Sequence, residues 1–438
     1  MRWRSHSAAT ALGALATLNA YRPLTRRGYA VVPAFAAGLF DTELPLLAAG
    51  LQLAVTASAL KRGAARSNLG RLGLAINAAS IAGLVNLHRE ARRSGTVLEQ
   101  ALADALGPDY RARMAWPPAC RDDSAPVVRS HVPLPLVRAK RRYVASAARN
   151  LPYGDAGMRN HLDVWRRSDL PRDARAPVLL TVHGGAWVTG NKEIQALPLL
   201  SHLAERGWLC IAINYRLGGK AAWPDLVADV KRSIVWTKAN IASFGGDPDF
   251  LAITGGSAGG HLSALAALSA NDPAFQPGFE DADTTVQAAV PLYGVYDWTG
   301  QSGGHAYQIP FLERHVVKQP FGAAREVFEQ ASPITRVRRD APPFFVLHGS
   351  NDTLAYVEPA RAFVAALRSV SEQPVAFAEL PFAQHAFEFF RSVRALHAVH
   401  AIERFLAFVY GEHRSRAGRS PHEAGLLQGA RHELAHDP

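Results

Sequence analysis

Cysteine is almost absent: Cys120 and Cys210 are the only two in 438 residues, too few for a disulfide framework or a cysteine-built metal site. Cys210 lies inside an apolar run, where a buried thiol is expected. The apolar stretch from Ala8 to Leu18 behind Arg2 and Arg4 lacks a small-x-small cleavage site after it, so it does not read as a secretion signal. No internal repeat and no nucleic-acid-binding module is recognisable, although the net charge is +11. Much of that charge sits early, at Arg2, Arg4, Arg22, Arg26, Arg27, Arg62, Arg66, Arg71, Arg89, Arg92 and Arg93. Basic residues flanking apolar segments suit anionic lipid rather than nucleic acid.

Residues 1–110 form an apolar helical region of different composition from the rest. Its uncharged stretches are Tyr29 to Phe40, ending at Asp41 and Glu43, then Leu44 to Leu60 and Leu72 to Leu87. Each is near or below the roughly 17 to 25 residues that cross a bilayer as a helix. Helices embedded in or lying on a membrane, and a soluble helical cap over an active site, both fit; the location is membrane-associated or cytoplasmic. Basic residues flank both ends of the segments, so charge picks no orientation. Residues 111–142, with Trp116, Pro117, Pro118, Pro126, Pro133 and Pro135, read as an irregular connector, and 412–438 as a mobile polar tail.

Between them, residues 143–411 alternate apolar strands with helical patterns. An antiparallel pair is expected at Ala145 to Tyr153 and His161 to Arg166, turning at GDAG. Strands follow at Pro177 to Val182, Leu209 to Tyr215, Leu251 to Thr254, Val286 to Tyr293, Pro343 to His348 and Val375 to Leu380. Helices are expected at Ile194 to Arg206, Pro224 to Phe244, Gly260 to Ser269 and Glu358 to Arg368. Buried strands alternating with helices imply an α/β fold, a mostly parallel sheet covered on both faces.

The chemistry centres on Leu251 to His261, LAITGGSAGGH. A serine on a strand-to-helix turn adopts a strained backbone, and side chains two residues to either side would collide; Gly255 and Gly259 remove both collisions. The turn lifts the Ser257 hydroxyl out of the sheet beside the free N–H groups that open the next helix. The second element is HGGAW, from His183 to Trp187, directly after the strand PVLLTV. Glycines there let backbone N–H groups face a substrate, so Gly184, Gly185 and Ala258 are the candidate oxyanion donors, with His183 ordering its own loop.

A serine needs a base, and a histidine can take and return its proton. Of the 17 histidines, His385 follows the strand ending at Leu380 and precedes the final helix. Asp352, on the loop after PFFVLHG, supplies the acid, ahead of Asp297 and Glu358. His261 falls on the helix after Ser257, where a structural hydrogen-bonding role is expected, and His348 ends a strand. Trp187, Trp223, Trp298 and Phe311 lie where they could line an acyl or alcohol pocket or belong to the core.

HGGAW, DLVADVKRSIVWTKANIASFGGDPDFLAI, GGSAGGH, SPIT, HGSND and QHAFE, in this order over roughly residues 145–410, resemble the α/β-hydrolase esterases of the hormone-sensitive-lipase, carboxylesterase and feruloyl-esterase-like groups. The resemblance implies an α/β-hydrolase fold, the triad Ser257, Asp352 and His385, and an oxyanion hole from Gly184 and Gly185. The hormone-sensitive-lipase pattern has a third glycine where Ala186 stands and an aspartate where Gly256 stands; the kynurenine-formamidase-like and feruloyl-esterase-like branch is closer. The apolar first 110 residues belong to neither core pattern, and joined to this hydrolase they resemble actinobacterial lipase/esterase proteins. The expected function is a serine carboxylic-ester hydrolase working through an acyl-enzyme on a small-molecule or lipid ester, with no metal or organic cofactor implied. An amidase or formamidase with the same triad, and a non-catalytic membrane or binding protein on a hydrolase scaffold, are the alternatives.

Overall fold

The structure, a computed structural model, describes residues 2–25, 30–117, 140, 142–304 and 308–417, with residues 2–7 and 417 described in backbone alone. The apolar stretches of the first 110 residues become four helices: α1 (Arg2–Tyr21), α2 (Val31–Glu43), α3 (Pro45–Lys61) and α4 (Asn68–Leu106). Pro45 cannot continue the ladder of α2 but fits the first turn of α3, and the two helices meet there at 98°. α4 is 39 residues long, far beyond the expected Leu72 to Leu87, because Leu98, Leu102 and Leu106 carry the four-residue spacing past the arginines.

Eight strands form one sheet: β1 (Leu151–Pro152), β2 (His161–Trp165), β3 (Ala176–Val182), β4 (Leu209–Ile213), β5 (Gly246–Gly256), β6 (Ala288–Leu292), β7 (Phe344–Gly349) and β8 (Val375–Leu380). Their order is β1-β2-β4-β3-β5-β6-β7-β8, antiparallel for the first two pairings and parallel after them. This is the expected α/β-hydrolase sheet. The first strand is shorter than expected: Ser146–Ala148 is a 3-10 turn, and Asn150 has φ 53°, which breaks the extended run before Leu151. β5 is longer, starting at Gly246, which pairs with Ala176.

The remaining helices are α5 (Leu197–Glu205), α6 (Asp225–Asn240), α7 (Ala258–Leu268), α8 (Gln308–Leu312), α9 (Arg325–Gln330), α10 (Val357–Val370) and α11 (Val393–Ala417). Side chains alternate across the sheet, so Val178, Leu180 and Val182 enter a core with α6, α7 and α10, while Leu179 enters a second core with α5 and α11. Leu98, Leu102 and Leu106 of α4 belong to that second core. α11 runs past Gly411 to Ala417; the rest of the expected tail, and the connector from 118 to 139, lie outside the described residues.

A fully buried ion pair ties the α2–α3 corner to α11. The Arg394 guanidinium binds the Glu43 carboxylate and donates to Thr42 O at 3.2 Å and Pro381 O at 3.1 Å, while Ser392 Oγ donates to Glu43 at 2.6 Å. Removing one partner of such a pair strands a buried charge. Arg394→Met is expected to destabilise the protein by about 3 to 5 kcal/mol, and Arg394→Met with Glu43→Leu by much less. Urea unfolding of both variants, in one detergent, checks this; equal losses would mean that the stranded charge is not the cause.

Candidate active site

β5 delivers the chain into the turn at Ser257, whose φ of 59° and ψ of −120° lie outside the ordinary regions for a residue with a side chain. The turn is pressed against the end of β3: a Cβ at Gly255 would lie 2.6 Å from Val182 O, and one at Gly259 would overlap that same oxygen. Glycine at both places is therefore a packing requirement. The position before the serine is equally constrained, because a Cβ at Gly256 would run into the Tyr293 hydroxyl, so the aspartate of the hormone-sensitive-lipase pattern has no room here.

The loops after β7 and β8 bring Asp352 and His385 together. His385 Nδ1 donates to Asp352 Oδ2 at 2.6 Å, and Asp352 Oδ1 accepts the N–H groups of Leu354 at 2.9 Å and Ala355 at 2.8 Å. Burial pushes the Asp352 carboxyl up, but the charge of His385 and hydrogen bonds from His348 and His385 outweigh it and hold the group well below the usual carboxylate range. Gln384 Oε1 accepts N–H bonds from Thr353 at 2.8 Å and His385 at 2.9 Å, stapling the two loops. With Nδ1 committed to Asp352, Nε2 is the basic atom of His385 left for a nucleophile.

Tyr293 joins the two halves. Its ring lies 4.6 Å from that of His385, and its hydroxyl stands against Gly256, next to Ser257, and donates to buried Glu388. Burial is the leading cause raising both the Tyr293 and Glu388 pKa values, so at neutral pH the phenol keeps its proton. The other candidate acids are engaged or remote from this arrangement. Asp297 accepts from the N–H and hydroxyl of Thr299 and of Ser302, at 2.6–2.8 Å, which fixes its own loop, and Glu358 is exposed on α10.

HGGAW crosses in front of the serine: a Cβ at Gly184 would lie 3.2 Å from Ser257 Cβ. The Gly184 N–H donates to Gln195 Oε1 at 2.6 Å, so that group is spent inside the protein and Gly184 is not an available oxyanion donor. Gly185 (φ 121°), Ala186 (φ 49°) and Trp187 (φ 62°) follow in left-handed conformations, and the Val188 and Thr189 N–H groups close the turn onto Gly185 O at 3.1 and 3.0 Å. Among the described residues, the N–H groups of Gly185, Ala186 and Ala258 have no hydrogen-bond acceptor. His183 stacks on Tyr215 at 4.3 Å, and burial lowers its pKa to about 4.

Trp187, Trp223 and Trp298 pack together in the core. Trp187 and Trp298 are buried, and with the partly buried Trp223 they surround His261 on α7: Trp187 Nε1 donates to His261 Nδ1 at 3.1 Å, Trp298 stacks on the imidazole at 4.6 Å, and Trp223 lies 4.9 Å from Trp298. His261 Nε2 donates to Ala331 O at 2.7 Å, and burial lowers its pKa to about 3, so it is a neutral packing group. Phe311 packs partly buried against the same core, 4.9 Å from His315. Sequence reasoning missed Tyr293, Gln195, Glu388 and Phe35, the last with its ring 6.2 Å from His385. Among the described residues, one group has metal-ligand spacing, His202, His400 and Glu403 between α5 and α11; its carboxylate already binds His202 and Arg206, each at 2.7 Å.

The BD-FAE family matches residues 162–367. Among curated relatives, the chain is 51% identical to "Probable carboxylic ester hydrolase LipM" of Mycobacterium tuberculosis, over 94% of each chain. It is 44% identical to "Esterase LipQ" of the same organism, over 89% of this chain and 87% of that one. The solved structure of Thermogutta terrifontis esterase Est2 with propionate, at 23% identity, superposes with a TM-score of 0.51 over 60% of this chain and 94% of its own, a likeness of fold.

Two predictions follow from the packing of the turn. Gly259→Ala forces a Cβ into Val182 O, and a loss of several kcal/mol or outright failure to fold is expected in thermal denaturation. His183 and His261 resist protonation until about pH 4 and about pH 3, whereas unfolded histidines bind a proton near pH ~6.5. The unfolded chain therefore takes up more protons below pH ~6.5, and stability falls as pH falls, by on the order of 2 kcal/mol for each group near pH 4.5. Denaturant midpoints should drop between pH 7 and 4.5, and less so in His261→Gln.

Proposed function

As the chain belongs to the carboxylic-ester hydrolase family that includes LipM and LipQ, it hydrolyses carboxylic esters, and we propose that Ser257, His385 and Asp352 carry the reaction. The observation that carries this reading is the buried 2.6 Å contact between His385 Nδ1 and Asp352 Oδ2 beside the strained serine turn. Ser257 Oγ attacks the ester carbonyl while its proton passes to His385 Nε2. The carbonyl oxygen becomes an oxyanion facing the N–H groups of Gly185 and Ala258, with Ala186 N–H adjoining. The C–O bond to the alcohol then breaks, and His385 returns the proton to that leaving oxygen. Water repeats the sequence on the acyl-enzyme, with His385 as base, and releases the carboxylic acid and free Ser257. Asp352 stays ionised throughout and stabilises the imidazolium.

We propose further that residues 1–110 seat this hydrolase domain in a bilayer. The support is an inverted distribution of polarity. Thr17, Gln52, Asn77 and Ser80 are buried among α1, α3 and α4, with Ser80 Oγ donating to Thr17 Oγ1 at 2.9 Å and Asn77 Nδ2 to Gln52 O at 2.8 Å. Leu12, Leu51, Leu69 and Leu72 are bare on the outside. Helices that associate in lipid use polar contacts inward and apolar surface outward, the reverse of a water-soluble bundle. α4 is long and apolar enough to cross a membrane.

Ser257→Ala should lower kcat/KM for p-nitrophenyl butyrate by about 10⁴-fold or more and abolish labelling by a fluorophosphonate, and Asp352→Asn should cost about 10³ to 10⁴-fold. Hydrolysis untouched by Ser257→Ala would overturn the assignment. Anilide turnover exceeding that of the matched ester would replace the ester reading with an amidase.

A further inference from the structure

Resting on the membrane-seated esterase reading above, we infer that the substrate is a bilayer-resident ester with a long hydrocarbon chain, and that it reaches Ser257 directly from the bilayer beneath α2, against Phe35. The argument begins with depth. Between Arg71 and Arg89, α4 has no charged residue, and the 17 residues of helix between them rise about 26 Å, close to the hydrocarbon thickness of a bilayer. Lys61, Arg66 and Arg71 lie at one end of the α3–α4 hairpin, and Arg89, Arg92 and Arg93 at the end where α4 joins the hydrolase core, so both ends carry charge suited to anionic headgroups.

With α3 and α4 along the membrane normal, the 98° corner at Leu44 turns α2 into the membrane plane at the hydrolase end. That is the boundary between hydrocarbon and headgroups, where the ester groups of acyl lipids reside. α2 is also where the N-terminal helices meet the proposed catalytic loops. Phe35 approaches His385 edge to face at 6.2 Å, a Cβ at Gly38 would lie 3.3 Å from Gln384 Nε2, and Asn351 Nδ2 donates to Ala20 O at 2.8 Å and Tyr21 O at 3.0 Å at the end of α1. Away from those loops Leu18 of α1, Leu24 just after it and Val32 of α2 are 52%, 55% and 61% exposed, with Arg22 exposed among them. On α2, Val32, Pro33 and Ala36 are exposed and Phe35 is half-buried beside them, so an apolar helix face leads from the outside of the protein to the ring that meets His385. A chain following it keeps its methylene groups out of water between the bilayer and the serine.

The test uses the full-length protein in phosphatidylcholine–phosphatidylglycerol vesicles that carry 4-methylumbelliferyl palmitate, with p-nitrophenyl acetate as the soluble reference. Wild-type palmitate turnover should rise with the mole fraction of ester in the bilayer at fixed bulk concentration. Phe35→Ala should lower kcat/KM for the vesicle-borne ester about ten-fold further than for acetate, and Phe35→Leu should restore most of the difference. The inference is overturned by a palmitate rate that follows bulk concentration alone, by equal losses on both esters in Phe35→Ala, or by a full-length chain that stays off the vesicles. Acetate hydrolysis with no vesicle-borne turnover sinks this inference alone, whereas silence on both esters removes the esterase reading with it.

Discussion

The close approach of two backbones, the end of β3 and the turn after β5, governs the arrangement at Ser257. Val182 O lies where a Cβ at Gly255 or Gly259 would have to stand, so the turn closes only because both positions lack one. That closure holds Ser257 in a conformation with φ 59° that an isolated peptide would leave. It also fixes the start of α7 and brings HGGAW across the serine. The parallel register carries the effect outward, since Gly256 pairs with Leu292, and Leu292 with Leu347, so the carboxyl ends of β5, β6 and β7 come level. Tyr293 and Asp352 then emerge on the same edge, with His385 beyond β8.

How much of this was legible in the sequence depended on the range of the physics involved. The serine turn could be read locally, because both glycines lie within two residues of Ser257, although the oxygen they make room for, Val182 O, belongs to β3. Asp352 and His385 could be placed because each follows an apolar strand at the carboxyl end of a parallel sheet, where loops converge. Gly184 was misread as a free donor because its partner, Gln195, sits eleven residues on and reaches back only once the loop is folded. The tryptophans left two readings open for the opposite reason. Their amphipathic character suits a pocket wall as well as a core, and only the packing around His261 separates the two. α4 outran its apolar stretch because the change from a helix with polar groups inside and leucines outside to one with its leucines inside is a change of environment along a continuous helix, and a scan for uncharged runs stops at the first arginine.

That change of environment explains how the first 110 residues relate to the rest. The second half of α4 is an ordinary amphipathic helix whose leucines share the core with α5 and α11. The first half has its polar groups turned inward onto α1 and α3. A helix cannot flex freely between such halves without breaking its hydrogen-bond ladder, so whatever holds the first half also holds the hydrolase domain at a fixed height. The N-terminal helices are consequently unsuited to acting as a loose tether.

The buried Glu43–Arg394 pair completes the same logic. Two charges withdrawn from water recover little net free energy, and an apolar contact of equal volume would serve stability as well. An apolar contact, however, would not specify direction. The Arg394 fork reaches Glu43 and Thr42 at the α2–α3 corner with one arm and Pro381, at the start of the His385 loop, with the other. Rotating α2 or shifting that loop would leave a buried carboxylate, carbonyl or guanidinium unpaired. The pair therefore couples the angle of α2 to the position of His385, so the helix carrying Phe35 and the loop carrying the histidine are held by one side chain.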